Sequence, residues 1–184
     1  MTAALPPVLI DPDELLRMPN EKDFELIDGV PEERTMGTKS ELIAFDLGTV
    51  LSTFVKQHDL GCVCGSNFGY VCFPGRPRHL RKPDLSFIAK SRLPTDWPPE
   101  GYIPIAPDLV LEAISPNDLA EELEVKLAEY RGAGVRLVWV VSPTARTVQV
   151  RRLDGSAQIL QESDTLSGEA VVPGFEVPVA SLFV

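Results

Sequence analysis

Three charged residues stand where the chain otherwise places apolar ones. Asp84 closes Arg81-Lys82-Pro83-Asp84 and opens the apolar run Leu85-Ser86-Phe87-Ile88. Glu112 lies inside Leu109-Val110-Leu111-Glu112-Ala113-Ile114, which reads as a buried strand. Lys126 follows on a segment with helical periodicity. An isolated charge taken out of water costs several kcal/mol, so each of the three calls for a partner or a metal. Two carboxylates offer the oxygen ligands that hard divalent cations take, and a lysine beside them can face a phosphate. The ordinary alternatives are a turn aspartate, a strand glutamate on an exposed face or in a simple ion pair, and a lysine that snorkels from an apolar stripe.

The helix that carries Lys126 can be wound from the sequence. At about 100° per residue, with Leu119 at zero, Leu123, Tyr130 and Leu127 fall on one stripe and Lys126 about 20° to its side. A helix over roughly 118–132, capped by Ser115-Pro116-Asn117-Asp118 and ended by Gly132 and Gly134, fits these residues. Before it lies the core strand over 109–114. After it comes Val135-Arg136-Leu137-Val138-Trp139-Val140-Val141, a second near-continuous apolar strand of the kind covered on both faces. Strand, helix and strand together read as a right-handed crossover between parallel strands.

Upstream, Asp11 as N-cap, Pro12 at N1 and Glu14 at N3 start a short helix that Pro19 closes. Phe24 to Val30 enters a hairpin through Asp28-Gly29. From Lys39 to His58, Leu42, Ile43, Phe45, Leu47, Val50, Leu51, Phe54 and Val55 recur at helical spacing, and Gly61 serves as the stop. Strands are expected over 62–73 and 84–89, with a turn at Pro74-Gly75-Arg76-Pro77 between them. Pro94, Pro98, Pro99 and Pro104 make 90–107 a surface loop. Thr147 to Arg151 alternates as a half-exposed strand does, Asp154-Gly155 turns into further short strands, and Pro173-Gly174-Phe175 precedes the last segment. The expected fold class is α/β or α+β, with a mixed central sheet flanked by helices and added β segments at both ends, in one domain over 1–184.

Composition bounds the partners. The net charge of −10 argues against a non-specific nucleic-acid coat. The charge is uneven, since Arg76, Arg78, Arg81 and Lys82 cluster while acids concentrate at 11–33 and 118–129. No apolar run approaches the roughly 18 residues of a membrane span. The N-terminal residues carry no signal-peptide pattern, which leaves the cytoplasm as the expected location. Cys62, Cys64 and Cys72, with only His58 and His79 to join them, complete no zinc pattern. They read as small, reduced, apolar side chains.

In order along the chain, Phe24-Glu25-Leu26-Ile27-Asp28-Gly29, Arg81-Lys82-Pro83-Asp84, and Ala106-Pro107-Asp108-Leu109-Val110-Leu111-Glu112-Ala113-Ile114-Ser115-Pro116 are followed by three further segments. These are Lys126-Leu127-Ala128-Glu129-Tyr130, Gly134 to Val141, and Pro173-Gly174-Phe175-Glu176-Val177-Pro178. The ordered set resembles the PD-(D/E)xK nuclease superfamily and, within it, a large bacterial family of restriction-endonuclease-like proteins. The resemblance implies a restriction-endonuclease-like fold and a metal-dependent endonuclease acting on DNA phosphodiester bonds. It implies Asp84 and Glu112 as metal carboxylates, helped by the backbone carbonyl near Ala113, with Glu25 as a further acidic member. The superfamily's lysine position is Ile114 here, and Lys126 on the following helix takes its place. Mg²⁺ or Mn²⁺ is the implied cofactor, to activate water and stabilise charge on phosphate, with Lys126 neutralising the charge that develops. Arg76, Arg78, Arg81 and Lys82 are the implied contacts to flanking DNA phosphates, against the alternative of an ordinary solvated loop. A homodimer is expected because duplex cleavage needs two active sites. The competing readings are a catalytically silent nuclease-fold module that binds nucleic acid or protein, and a hydrolase of another phosphodiester.

Overall fold

The computed structural model describes residues 8–34, 37–115 and 119–183. Helix α1 (Pro12–Leu16) starts as the sequence requires: Asp11 accepts from the Glu14 backbone N–H, and Glu14 in return accepts from that of Asp11. The hairpin of β1 (Phe24–Ile27) and β2 (Val30–Glu33) turns at Asp28 and Gly29, both in the left-handed region at φ 52 and 94°. That pair of positive φ values gives a turn whose twist matches the two strands. Its Leu26 exchanges both backbone hydrogen bonds with Leu80, which docks the hairpin beside the segment leading to Asp84.

Helix α2 (Thr38–Gln57) buries Ile43, Ala44, Leu47, Leu51 and Val55. Only part of the expected stripe is covered, because Leu42, Phe45 and Val50 remain exposed, Phe45 at 71%. The stop also differs from expectation. Asp59 takes the left-handed conformation (φ 53°) after the helix, and Gly61 already belongs to β3 (Gly61–Gly65). The strand expected over 62–73 is shorter than its apolar content suggested. Beyond Gly65 the chain pairs only through isolated bridges of Tyr70 with Arg81 and Ile103.

Strands β4 (Leu85–Ala89), β5 (Leu109–Ala113), β6 (Leu137–Ser142), β7 (Thr147–Arg152) and β8 (Ala157–Leu160) complete a six-stranded sheet in the order β3-β4-β5-β6-β7-β8. Only β5 and β6 run parallel, and helix α3 (Ala120–Gly132) joins them. This helix starts later than expected, with Leu119 as N-cap and no side-chain cap. Residues 116–118 of the expected capping segment lie outside the described residues. A small antiparallel pair, β9 (Thr165–Ser167) with β10 (Glu176–Pro178), supplies the C-terminal β segment.

Side-chain alternation along β5 decides where the chemistry can sit. Leu109, Leu111 and Ala113 join Leu47, Leu51 and Trp139 in the core under α2. Val110 faces the other way, with Leu127, Tyr130 and Val138 in the core under α3. Glu112 shares the register of Val110 and therefore faces α3. Cys64 is buried, Cys62 and Cys72 are half-buried, and all three are free thiols. Among the described residues no helix is long and apolar enough to cross a membrane.

Candidate active site

Four elements bring charged side chains to one cavity of about 480 Å³ at the ends of β4 and β5. Asp84 directly precedes β4, Glu112 is the fourth residue of β5, Lys126 lies mid-way along α3, and Glu25 comes from the docked hairpin. Lys126 Nζ donates to Glu112 Oε2 at 3.0 Å and lies 3.3 Å from Glu25 Oε1. Asp84 Oδ2 accepts the Ala113 backbone N–H at 2.8 Å. The N–H and C=O of one strand residue point to the same side, so the Ala113 carbonyl faces the side that Asp84 occupies.

Each carboxylate is held differently. Glu25 is fixed from behind by Arg81 Nη1 (2.9 Å) and by the Lys82 backbone N–H (2.6 Å). Burial pushes its carboxyl up, yet Lys126, Arg81 and the Lys82 N–H together hold it below the usual range. Glu112 goes the other way. Burial, with Asp84 and Glu25 nearby, outweighs Lys126 and pushes it up to about 7. Asp84 is also raised, again mainly by burial. Half-burial pulls Lys126 down, but the surrounding carboxylates push it up to about 12. Lys126 thus pairs with Glu25 and Glu112, while Asp84 faces the Arg34 guanidinium at 3.5 Å.

The donor set suits a hard divalent cation: two carboxylates and a backbone carbonyl, all oxygen. A cation there would stabilise the Glu112 carboxylate against the burial and neighbouring acids that raise it. Among the described residues no three acidic, cysteine or histidine side chains already stand at a metal's bonding distances. The Lys126 ammonium lies between Glu25 and Glu112 instead.

Two participants had no signal strong enough to be picked from the sequence. The Tyr130 hydroxyl donates to Glu112 Oε1 at 2.6 Å. It sits one turn after Lys126 and looked like a plain member of the apolar stripe. Arg34 follows β2, donates through Nη1 to the Ser66 carbonyl at 2.9 Å, and lies 3.5 Å from Asp84 Oδ1 through Nη2.

The basic run expected to contact DNA is placed otherwise. Arg76 pairs with Asp28 (2.7 Å) and with Glu129. Arg81 spans Glu25 and Glu129 (2.7 Å). Lys82 has no exposed side-chain surface and binds the Glu21 carboxylate (2.8 Å) and carbonyl. These three cations are satisfied inside the protein. Of the four, Arg78 alone is exposed and has no ion pair among the described residues.

A mixed six-stranded sheet flanked by helices, with this cluster at the ends of its central strands, defines a restriction-endonuclease-like nuclease fold. The chain belongs to the family described as "Putative restriction endonuclease" (Uma2), which matches residues 12–180. A solved structure described as a "putative nuclease belonging to DUF820", from Anabaena variabilis ATCC 29413, superposes with a TM-score of 0.79. It shares 22% identity, and the match covers 95% of this chain and 97% of that one. At that identity the likeness speaks for the fold alone. No curated protein matches the sequence.

Proposed function

We propose that this protein is a divalent-metal-dependent endonuclease that hydrolyses phosphodiester bonds of DNA. The observation that carries the reading is the gathering of Glu25, Asp84 and Glu112 around one open cavity, with Lys126 bridging Glu25 and Glu112. A structural salt bridge pairs charges away from solvent, whereas these three acids line a cavity that solvent and ligand can enter.

Asp84, Glu112 and the Ala113 carbonyl would hold Mg²⁺ or Mn²⁺. Bound there, the cation supplies Lewis acidity toward a phosphate oxygen and makes its water more acidic. The protein does the rest. Lys126, fixed between Glu25 and Glu112, presents a permanent positive charge to the pentacovalent phosphate as negative charge builds on it. Glu25, locked as carboxylate by Arg81 and the Lys82 N–H, keeps Lys126 charged and in place. Tyr130 fixes one oxygen of Glu112 while Lys126 holds the other. Arg34 stands at the mouth with its Nη2 edge toward Asp84 and can take a non-bridging phosphate oxygen.

A second reading, a catalytically silent member of the fold, draws on the acidic rim of Glu32, Glu33, Glu121 and Glu122, which repels DNA. Supercoiled plasmid with Mn²⁺ or Mg²⁺ separates the two. Cleavage by the wild type is expected to fall about 10²–10³-fold in Lys126→Ala and in Asp84→Ala, the loss typical of removing a transition-state charge partner. Equal cleavage by all three proteins would remove this site from the chemistry. No cleavage by the wild type would leave the silent reading.

A further inference from the structure

Two stretches border the cavity, and their charges differ. One carries Glu32, Glu33, Glu121 and Glu122. The other is a second groove of about 480 Å³ between α2 and the edge strand β3. Asp84 and Glu41 line both spaces, so the groove adjoins the site. Beyond these two its lining carries no acid and ends on Lys56. Among the described residues Lys56 is exposed and has no ion pair.

The groove wall is built by helical spacing. Phe45, Thr49, Ser52 and Lys56 recur at intervals of three and four and so share one face of α2. From Glu41 to Lys56 this face is about 22 Å long, at about 1.5 Å per residue. Phe45, 71% exposed, lies near the end next to the site. Gly65 and Ser66 form the opposite wall. Arg34 reaches across the junction, bonded to the Ser66 carbonyl on one side and paired with Asp84 on the other.

From these features we infer that the groove between α2 and β3 holds a single DNA strand next to the phosphate at the site, with a base stacked on Phe45 and a flanking phosphate on Lys56. This rests on the hydrolase reading given above. Electrostatics favours this side: four glutamates repel a polyanion on the other, whereas here the acids Glu41 and Asp84 stand only at the end next to the site and the far end carries Lys56. An aromatic face followed by a cation along one groove is the arrangement that holds single strands without reading sequence. The volume is that of a small-ligand cleft, which admits a strand and excludes a duplex. The segment at Phe45 is therefore single-stranded when bound.

Gly65 provides a clean way to block the groove, since a Cβ built there meets nothing within 4 Å. Three variants are compared with the wild type: Gly65→Leu, Phe45→Ala and Lys56→Glu. Binding of a fluorescein-labelled oligothymidylate is followed by anisotropy in Ca²⁺, and Mn²⁺-dependent turnover is followed on bis(4-nitrophenyl) phosphate, which is too short to reach the groove. Each variant is expected to bind the oligothymidylate about tenfold more weakly, Lys56→Glu with a salt dependence lower by about one ion. Turnover of the small ester is expected to stay at the wild-type rate. Wild-type affinity in all three variants overturns the groove, as does a wild type that binds duplex as tightly as single strand. A dimer that Phe45→Ala dissociates without changing oligothymidylate binding would assign the face to a second copy and also overturns it. If the wild type turns over neither ester nor DNA, the hydrolase reading falls, and the oligothymidylate arm alone decides the groove.

Discussion

Glu112 and Glu129 are both largely buried glutamates beside α3, and their environments drive them in opposite directions. Glu112 shares its lysine with Glu25 and is pushed up to about 7, mainly by burial. Glu129 faces three partners, Arg76, Arg81 and His79. Against the upward push of burial, contacts from His79 (Nε2 at 3.1 Å), Arg81 and Arg76 hold it far below the usual carboxylate range. The two clusters touch through Arg81, which binds Glu25 of one and Glu129 of the other. Where the protein balances buried charge, the result is a clamp that ties α3 to the 76–82 segment and, through Arg76 and Asp28, to the hairpin. Where it leaves acid in excess beside a cavity, the imbalance is a demand for something from outside. Buried charge alone therefore does not mark a functional site; unbalanced buried charge beside a cavity does.

The most drastic way to break this comparison is Arg81→Ala. It strips Glu25 and Glu129 of a shared partner at once, and leaving buried charge uncompensated costs about 3–5 kcal/mol. Urea denaturation reads the loss directly, and cleavage should drop with it because Glu25 no longer holds Lys126.

Acid sharpens the contrast on the balanced side. Glu129 is lowered in the folded protein, so the stability it contributes is present above its ordinary value near 4.5 and is lost as pH falls below that toward the folded value. Thermal melts between about pH 6 and pH 3 should show the wild type falling steeply below about pH 4.5. Glu129→Gln should start lower and fall less. Parallel curves for the two proteins would show that the clamp does not carry the charge assigned to it.

The smallest effect belongs to Tyr130→Phe. Losing one hydrogen bond costs about 1 kcal/mol. Glu112 should remain in place on Lys126 with a looser orientation, so cleavage should decline by a few fold and far less than in Lys126→Ala. A loss as large as that of Lys126→Ala would make Tyr130 part of the chemistry itself.

The sequence made the frame of this molecule readable because local signals and packing agree. Asp11, Pro12 and Glu14 cap α1 as their types demand. Asp28-Gly29 turns the hairpin, and the apolar runs around Glu112 and Trp139 become the parallel pair at the sheet centre. Lys126 was legible because a charge beside an apolar stripe is an exception that wheel geometry exposes. What failed were statements about partners distant in the chain. Arg76, Arg81 and Lys82 form a basic run by sequence, yet Asp28, Glu129 and Glu21 neutralise them from three other segments. Tyr130 hid because a ring suits the stripe while its hydroxyl does the work. The stretch after Gly65 has strand-like composition, but the only ladder available to Tyr70 is a pair of single bridges. Leu42, Phe45 and Val50 share the helical spacing of the buried residues of α2 yet stay exposed, because the sheet covers one side only.

The central claim is that Asp84 and Glu112 form a site short of positive charge, ready for a divalent cation, while Glu129 is already satisfied. Mn²⁺ titration of the purified protein, followed by electron paramagnetic resonance, tests it most directly. Saturable Mn²⁺ binding is expected for the wild type and for Glu129→Gln, and should be lost in Asp84→Asn and in Glu112→Gln. Mn²⁺ binding that survives both of the latter substitutions unchanged would contradict the account.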